Sequence, residues 1–154
     1  MATASTFYDM TEKLKEILLS DNNVSTVTYG DISSVATNKT TIYPLSHFIV
    51  NDVSIQDQVF TFDISLLCMD IIDYTNENTT DEFNGNDNLM DIFNTQMAVI
   101  SRATMLLKRT NLRNEGYQLT GEPTLNQFKH RFEDDVAGWD VNFQIQVVQD
   151  MNVC

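Results

Sequence analysis

The side chains of this chain that could do chemistry are few and widely spaced. The sequence contains two histidines, His47 and His130, and two cysteines, Cys68 and Cys154. Two cysteines are too few for a disulfide framework, and no His or Cys spacing fits a zinc site. Both histidines fall in segments with strand character, where a partly buried structural role is more common than catalysis. We therefore predict no bound metal.

Motifs for phosphate binding and nucleophilic catalysis are also missing from the sequence. The five glycines form no phosphate-binding loop, and no serine stands in a nucleophile-elbow pattern. The acid pairs at 81–82 and 134–135 lie in polar segments, where solvated charge is the usual state. We therefore predict no catalytic residue and no cofactor. A hydrolase built around His130 stays open as a third possibility, because triad members need not be close in sequence.

Charge is distributed very unevenly along the chain. With 9 basic and 22 acidic residues the net charge is −13, and no Lys or Arg occurs between Lys39 and Arg102. That interval holds ten acids: Asp52, Asp57, Asp63, Asp70, Asp73, Glu77, Asp81, Glu82, Asp87 and Asp91. Because phosphate binding requires cations, this argues against a partner reached through bulk attraction to nucleic acid or membrane. The acids fit a face that repels DNA, one that attracts a basic partner, or one that keeps the chain soluble.

Four cations follow the acidic interval within twelve residues. They are Arg102, Lys108, Arg109 and Arg113. Unlike charged faces on one small domain suit head-to-tail packing of copies around a ring, so these four form a candidate subunit interface. The alternative is that they answer the dipole of the helix that ends there.

No segment has the character of a targeting or membrane-spanning sequence. The first residues lack the charged and apolar regions of a signal peptide. The longest apolar run, 64–72, is interrupted by Ser65 and Asp70. We expect a reducing, cytoplasmic context for the chain and no membrane partner.

Two amphipathic helices are predicted from three- and four-residue spacing of apolar residues. The first runs from about Ser5 to Leu19 and the second from Leu89 to about Leu107. The second helix has a predicted apolar stripe: Phe93, Met97, Ile100, Thr104 and Leu107. Its methionines, Met90, Met97 and Met105, are expected to fill the core rather than to line a binding groove.

Strands are predicted from alternation and β-branched content. The predicted strands are 24–29, 41–50, 59–72, 117–120, 125–132 and 139–147, with turns at 51–57 and 121–123 and an acidic, Asn-rich loop at 75–88. After Leu66 the apolar phase of the third strand slips, which indicates a bulge or burial of both faces. In the last strand Trp139, Phe143 and Ile145 are expected to pack on Phe93, Met97 and Ile100.

This order predicts one domain over residues 1–154. Its class is α+β, with an antiparallel-rich sheet packed on one face by two helices. The polar side of the long strands is mostly uncharged. A row such as Asn142, Gln144 and Gln146 suits a sheet face that meets another subunit.

The segment 128–147 resembles the C-terminal strand pair of bacteriophage tail-terminator and head–tail joining proteins. The resemblance rests on an aromatic strand, an acidic turn, the step Val136-Ala137-Gly138-Trp139 and a final alternating strand. The strand 60–73, leading through an acidic loop into an amphipathic helix, is similar to the middle of that family. The Asn-rich loop at 75–88 departs from the family pattern.

The resemblance implies a virion structural protein made in the host cytoplasm, with no catalytic residues to carry over. Family members form rings, so it implies a homo-oligomer of six subunits, or twelve nearer the portal. Its partners would be other neck, portal or tail proteins, and DNA would pass through the lumen without specific binding. For such a channel the candidate facing acids are Asp52, Asp57, Asp70 and Asp73. The alternative from another class is a non-viral cytoplasmic α+β interaction module, an adaptor.

Overall fold

The computed structural model describes residues 6–30, 43–72, 89–109, 117–131 and 136–148. Along the chain these form α1 (Thr6–Leu19), β1 (Thr26–Tyr29), β2 (Leu45–Gln56), β3 (Val59–Ile71), α2 (Leu89–Lys108), β4 (Tyr117–Arg131) and β5 (Val136–Val148). The predicted order of helix, three strands, helix and further strands is confirmed. The predicted loop at 75–88 lies outside the described residues, as do Asp73 and Arg113.

The five strands form one mixed sheet in the order β1-β2-β3-β5-β4. β1 runs parallel to β2, and the other three pairings are antiparallel. The central pairing of β3 with β5 runs without a register shift from Val59 opposite Val148 to Ile71 opposite Val136. The predicted class, an antiparallel-rich α+β domain, is confirmed.

The predicted turn at 51–57 is wrong, because β2 continues through Asn51–Gln56 and the turn shrinks to Asp57 and Gln58. A register shift between Val50 and Asp52 resets the strand's phase. Because most residues of 51–56 are polar, the sequence pattern does not predict a strand there. Their partner, the apolar-rich β3, supplies the ladder that holds them extended.

The predicted turn at 121–123 is also wrong, because residues 117–131 form the single strand β4. The break between the two predicted strands is a register shift between Thr120 and Thr124. Gly121 takes the left-handed conformation there, with a φ of 74°. β4 ends the strand order, so Pro123, which lacks an N–H, is tolerated at its bulge.

The main core lies between the two helices and one face of the sheet. It contains Met10, Leu14, Ile17 and Leu18 of α1, Val99, Ile100, Ala103 and Leu107 of α2, and Phe62, Ile64, Leu66, Val141, Phe143 and Ile145 of the central strands. The phase slip in β3 reflects burial of both faces, since Leu66, Leu67, Cys68 and Met69 are all buried. Leu67 and Met69 belong to a second cluster with Leu45, Phe128 and Val136.

The buried stripe of α2 differs in part from the predicted one. Its buried residues are Ile92, Gln96, Val99, Ile100, Ala103 and Leu107. Met97 is 49% exposed, and Met90 and Met105 are exposed to a similar extent, so the prediction that these methionines fill the core is wrong. The predicted contact of Phe93 with Trp139 is confirmed: the ring centroids are 5.8 Å apart, and Trp139 Nε1 donates to the Phe93 carbonyl oxygen at 2.8 Å.

Gln96 is the polar member of that buried stripe, and its side chain is fully buried. Neither its amide nitrogen nor its amide oxygen has a hydrogen-bond partner within the described part of the chain. A buried polar group without a partner costs about 1–3 kcal/mol. Gln96→Met keeps the length of the side chain and removes both polar atoms, so we expect it to raise the free energy of unfolding by about that amount.

Chemical denaturation of Gln96→Met beside wild type measures this gain. The matched control is Gln144→Met, because Gln144 is exposed on β5 and should change stability by less than about 0.5 kcal/mol. A loss of stability in Gln96→Met would show that the buried amide is satisfied.

Candidate functional site

A hairpin arm projects from the sheet at the turn between β2 and β3. We define the arm as residues 51–58, all of which are exposed. β1 pairs with residues 45–48 of β2, so among the described strands the outer half of β2 is paired on one side, by β3. On the arm, Val53 is 40% exposed and Ile55 is 73% exposed. An apolar side chain as open as Ile55 is a candidate contact for another molecule.

The apolar side chains of the arm continue a row that begins inside the domain. Ile55 lies opposite Phe60, Phe60 opposite Val147, and Val147 opposite Tyr117, across β2, β3, β5 and β4. Residues opposite one another in register share a face of the sheet. The row therefore runs from Val147, which is buried, to Ile55 in solvent. The arm extends the helix-bearing face beyond the cover of the helices.

The opposite face of the same strands is polar and mostly uncharged. Asn51 Nδ2 donates to Ser65 Oγ at 2.7 Å, and Ser65 Oγ donates to Asn142 Oδ1, which links three strands. Asn142 and Gln144 are exposed. Asp52 and Asp63 lie directly opposite each other in register. Two like charges in that position repel, so this end of the sheet favours a cation nearby.

A second exposed surface follows the outward side of α2. We call it the methionine face: Met90, Met97 and Met105, followed by Lys108 and Arg109 at the end of the helix. Intervals of seven and eight residues place the methionines along one side of a helix. All five side chains are exposed. The thioether adapts to irregular partner surfaces, and the cations add positive charge at one end.

Three of the four predicted interface cations lie on or directly after α2. Arg102 holds the end of α1: its Nη1 donates to the Ile17 carbonyl oxygen at 3.3 Å and to Ser20 Oγ at 2.9 Å. Lys108 and Arg109 are exposed on the methionine face, and Arg113 lies outside the described residues. The interface stays a prediction for Lys108 and Arg109, whereas Arg102 has a contact within its own chain.

The described candidate channel acids lie at two different ends of the sheet. Asp52 and Asp57 are on the exposed arm, and Asp70 is half-buried near the other end of β3. Val59 and Asp70 are eleven residue steps apart along β3, a span of about 36 Å. Asp73 lies outside the described residues. The two ends of β3 thus present acids to different surroundings, and a channel role for them stays a prediction.

Burial raises the pKa of the Asp70 carboxyl, and the Ile71 backbone N–H, which donates to it at 2.7 Å, opposes that rise. The protonated form is therefore favoured by folding, and stability is lost as the pH rises above the ordinary Asp value of 3.8. We expect Asp70→Asn to raise the melting temperature at neutral pH and to leave it nearly unchanged at about pH 3. Scanning calorimetry at the two pH values measures both; a lower melting temperature at neutral pH would contradict the account.

The buried histidine has a structural setting. His47 is 1% exposed. Its Nε2 donates to the Gly30 carbonyl oxygen at 2.7 Å, and its Nδ1 lies 2.7 Å from Thr28 Oγ1. These bonds fasten the end of β1 to β2. The side chain of His130 is not among those described, so no described contact supports the hydrolase alternative.

The environment of the buried cysteine disfavours the thiolate form. Desolvation by burial raises the pKa of the Cys68 thiol to about 12, against a smaller opposing effect of its contact with Ser46 Oγ at 3.3 Å. Its thiolate is scarce at neutral pH, which suits a core residue rather than a nucleophile. Among the described residues, no group of three or more His, Cys, Asp or Glu side chains could hold a metal ion.

An aromatic pocket of about 260 Å³ opens between α1 and the β1–β2 edge, lined by Phe7, Tyr8, Val27, Tyr29 and Phe48 among others. Phe7 and Tyr29 meet edge to face with centroids 6.2 Å apart. The pocket suits an apolar side chain more than a charged ligand. Within the described ranges, neither helix has the length and apolarity needed to cross a bilayer.

No protein-family model and no curated protein matches this chain. The surfaces that point to a function are the hairpin arm and the methionine face.

Sequence reasoning missed both surfaces for identifiable reasons. The polar residues Asn51, Asp52 and Ser54 predict a turn, although Val53 and Ile55 alternate as strand residues do. The apolar methionines predict core positions, whereas Gln96, the residue that takes the buried position, is polar. An alternation count that tolerates polar partners would have found the arm.

Proposed function

We propose that this protein is a structural protein of a bacteriophage virion that forms a ring in the tail or the head–tail connector. In this role it terminates or joins the tail and lets DNA pass through the lumen. The observation that carries the proposal is the hairpin arm, eight consecutive exposed residues with Ile55 at 73% exposure. An exposed apolar side chain on such an arm is typical of a surface that another subunit covers.

Two further features support a ring of identical subunits. The arm carries acids, whereas the outward side of α2 ends in Lys108 and Arg109, so the domain has unlike surfaces. Unlike surfaces make heterologous contacts, which close into rings when the rotation between copies allows it. The resemblance of the Ala137-Gly138-Trp139 step to tail-terminator and joining proteins adds the virion context.

The second candidate function is a cytoplasmic adaptor. The aromatic pocket favours it, because a pocket of about 260 Å³ lined by Phe7, Tyr29 and Phe48 suits one apolar side chain of a partner. An adaptor would bind that partner as a monomer, whereas the virion protein assembles with itself.

Native mass spectrometry separates the two candidates. The virion role predicts one discrete assembly near six times the chain mass of 17.6 kDa, with twelve copies as the alternative. High salt should weaken the assembly if charged contacts support it. A monomer at every concentration, in both low and high salt, would favour the adaptor.

The protein is expected to have negligible affinity for duplex DNA at physiological salt. Its net charge is −13, and non-specific DNA binding depends on cations that release counterions from the phosphates. Fluorescence anisotropy with a labelled duplex measures the affinity, and a basic DNA-binding protein serves as the positive control. Submicromolar binding would contradict the charge argument.

A further inference from the structure

We propose that the hairpin arm of one copy docks on the methionine face of α2 in the next copy, with Asp57 in the turn at the arm's tip approaching Lys108 and Arg109. This inference rests on the proposed ring, because it names the contact that joins neighbouring subunits. The occupant of the methionine face is a second copy of this chain.

The two surfaces match in chemistry. The arm combines Val53 and Ile55, exposed on its helix-bearing face, with the carboxylate of Asp57 in the turn at its tip, whereas Asp52 lies on the opposite face with Asp63. The methionine face combines Met97 and Met105 with the cations of Lys108 and Arg109. Each surface thus joins apolar side chains to charge of one sign, and the signs are opposite. Contacts of this kind gain from apolar burial, while the charges fix orientation and partner choice.

The two surfaces also lie at the same end of the sheet. Gln56 of the arm is opposite Val59, and Val59 is opposite Val148, which places the arm at the end of β5. α2 begins at the other end, where Ile92 packs with Ile72 and Ala137. Its last turn reaches the main core through Leu107, and that core extends to Leu119 and Val147 at the arm's end. The basic end of α2 is therefore level with the arm.

The arm and α2 lie toward opposite edges of the sheet. The arm belongs to β2, whereas α2 packs over β3, β4 and β5. A rotation about an axis parallel to the strands leaves the height of each residue along that axis unchanged. It brings the arm of one copy next to α2 of the following copy. Repetition of that rotation gives a closed ring with one kind of contact.

Pairing of the arm with the same arm of another copy is disfavoured. A two-fold contact of that kind would bring two sets of Asp52, Asp57 and Asp63 together, and like charges repel at such distances. The acids on the arm thus select a basic surface over the arm itself. Of the described candidate channel acids, the docking removes Asp57 from the channel and leaves Asp52 and Asp70 available to it.

A charge-swap experiment tests the contact. One variant carries Asp57→Lys, and the other carries Lys108→Glu and Arg109→Glu. Alone, each variant places like charges across every contact and should remain a folded monomer. Mixed in equal amounts they should assemble, with the two variants alternating, because each contact then joins opposite charges. Glu12→Lys with Glu16→Lys, two exposed acids of α1 outside both surfaces, is the control and should assemble like wild type.

A cross-linking experiment tests the same contact at its apolar part. In a Cys154→Ser background, Ile55→Cys with Met105→Cys should give a ladder of linked subunits with a short bismaleimide. Ile71→Cys with Met105→Cys is the matched control, because Ile71 is 48% exposed but lies at the far end of β3. The control pair should give no ladder.

The outcomes separate this contact from the ring itself. If wild type assembles and both charge variants assemble alone, the contact is overturned and the ring stands. If the variants are monomers and their mixture fails to assemble, the pairing of these two surfaces is overturned. If wild type is a monomer at every concentration, the ring fails and the contact fails with it.

Discussion

Gly138→Ala is expected to abolish the native sheet. Gly138 lies in β5 opposite Met69 of β3 and Phe128 of β4. A Cβ atom there would overlap the Cys68 carbonyl oxygen and would lie 2.9 Å from Met69 Cα. These are backbone atoms of the adjacent strand and cannot rotate away. β5 would have to separate from β3, which breaks the central pairing of the domain.

Overpacking usually lowers the free energy of unfolding by about 1–3 kcal/mol. We expect a larger loss for Gly138→Ala, because the added Cβ atom clashes with backbone atoms. Circular dichroism and denaturant unfolding measure it. The matched control is Gly121→Ala, where a Cβ meets nothing within 4 Å and the φ of 74° adds strain alone. That strain costs about 1–2 kcal/mol. Equal losses in the two variants would refute the steric account of Gly138.

Phe143→Ala has the second largest expected effect. Phe143 is 4% exposed and belongs to the core that β5 shares with Ile64 and with Ile100 of α2. Truncation of a buried phenylalanine costs about 3–5 kcal/mol, because transfer free energy is lost and a cavity remains. For a chain of this length the melting temperature should fall by about 6–20 °C.

Thermal unfolding of Phe143→Ala beside Gln144→Ala tests this. Gln144 is the following residue on the exposed polar face, and its truncation should change stability by less than about 0.5 kcal/mol. If thermal unfolding of Phe143→Ala matched that of wild type, Phe143 would have no place in the core.

Much of the fold was predictable because its central elements have strong periodicity. β5 alternates without interruption, and its buried residues Val141, Phe143 and Ile145 are those that the alternation predicts. α1 shows a clear helical stripe. The errors lie where polar residues enter regular structure: in the outer half of β2, at the bulge around Gly121 in β4, and at Gln96 in α2. In each case pairing or packing with a neighbouring element overrides the local pattern, and a single sequence does not contain that information.

The candidate surfaces were predictable in part. The sequence identified Lys108 and Arg109 as candidate interface cations and Asp52 and Asp57 as candidate channel acids, and the structure exposes all four. It did not reveal that exposed apolar side chains lie beside the cations and beside the acids. The exposure of Ile55 and Met105 depends on how the helices pack on the sheet, which the sequence does not show. Nor did it reveal that Arg102 holds the end of α1, which is a contact between distant parts of the chain.

The Ala137-Gly138-Trp139 step illustrates what a short resemblance carries. Ala137 is fully buried against Ile72 and Ile92, Gly138 admits the backbone of β3, and Trp139 bonds the Phe93 carbonyl. Each residue thus has a packing reason. The step is therefore explained by how β5 packs on its neighbours.

Electron micrographs of the purified wild-type protein test the ring most directly. The account predicts closed rings of one diameter with a central opening, sixfold in projection or twelvefold in the alternative. Class averages also count the subunits without any assumption about the contacts. A field of single 17.6-kDa particles, or of open filaments without closure, would contradict it.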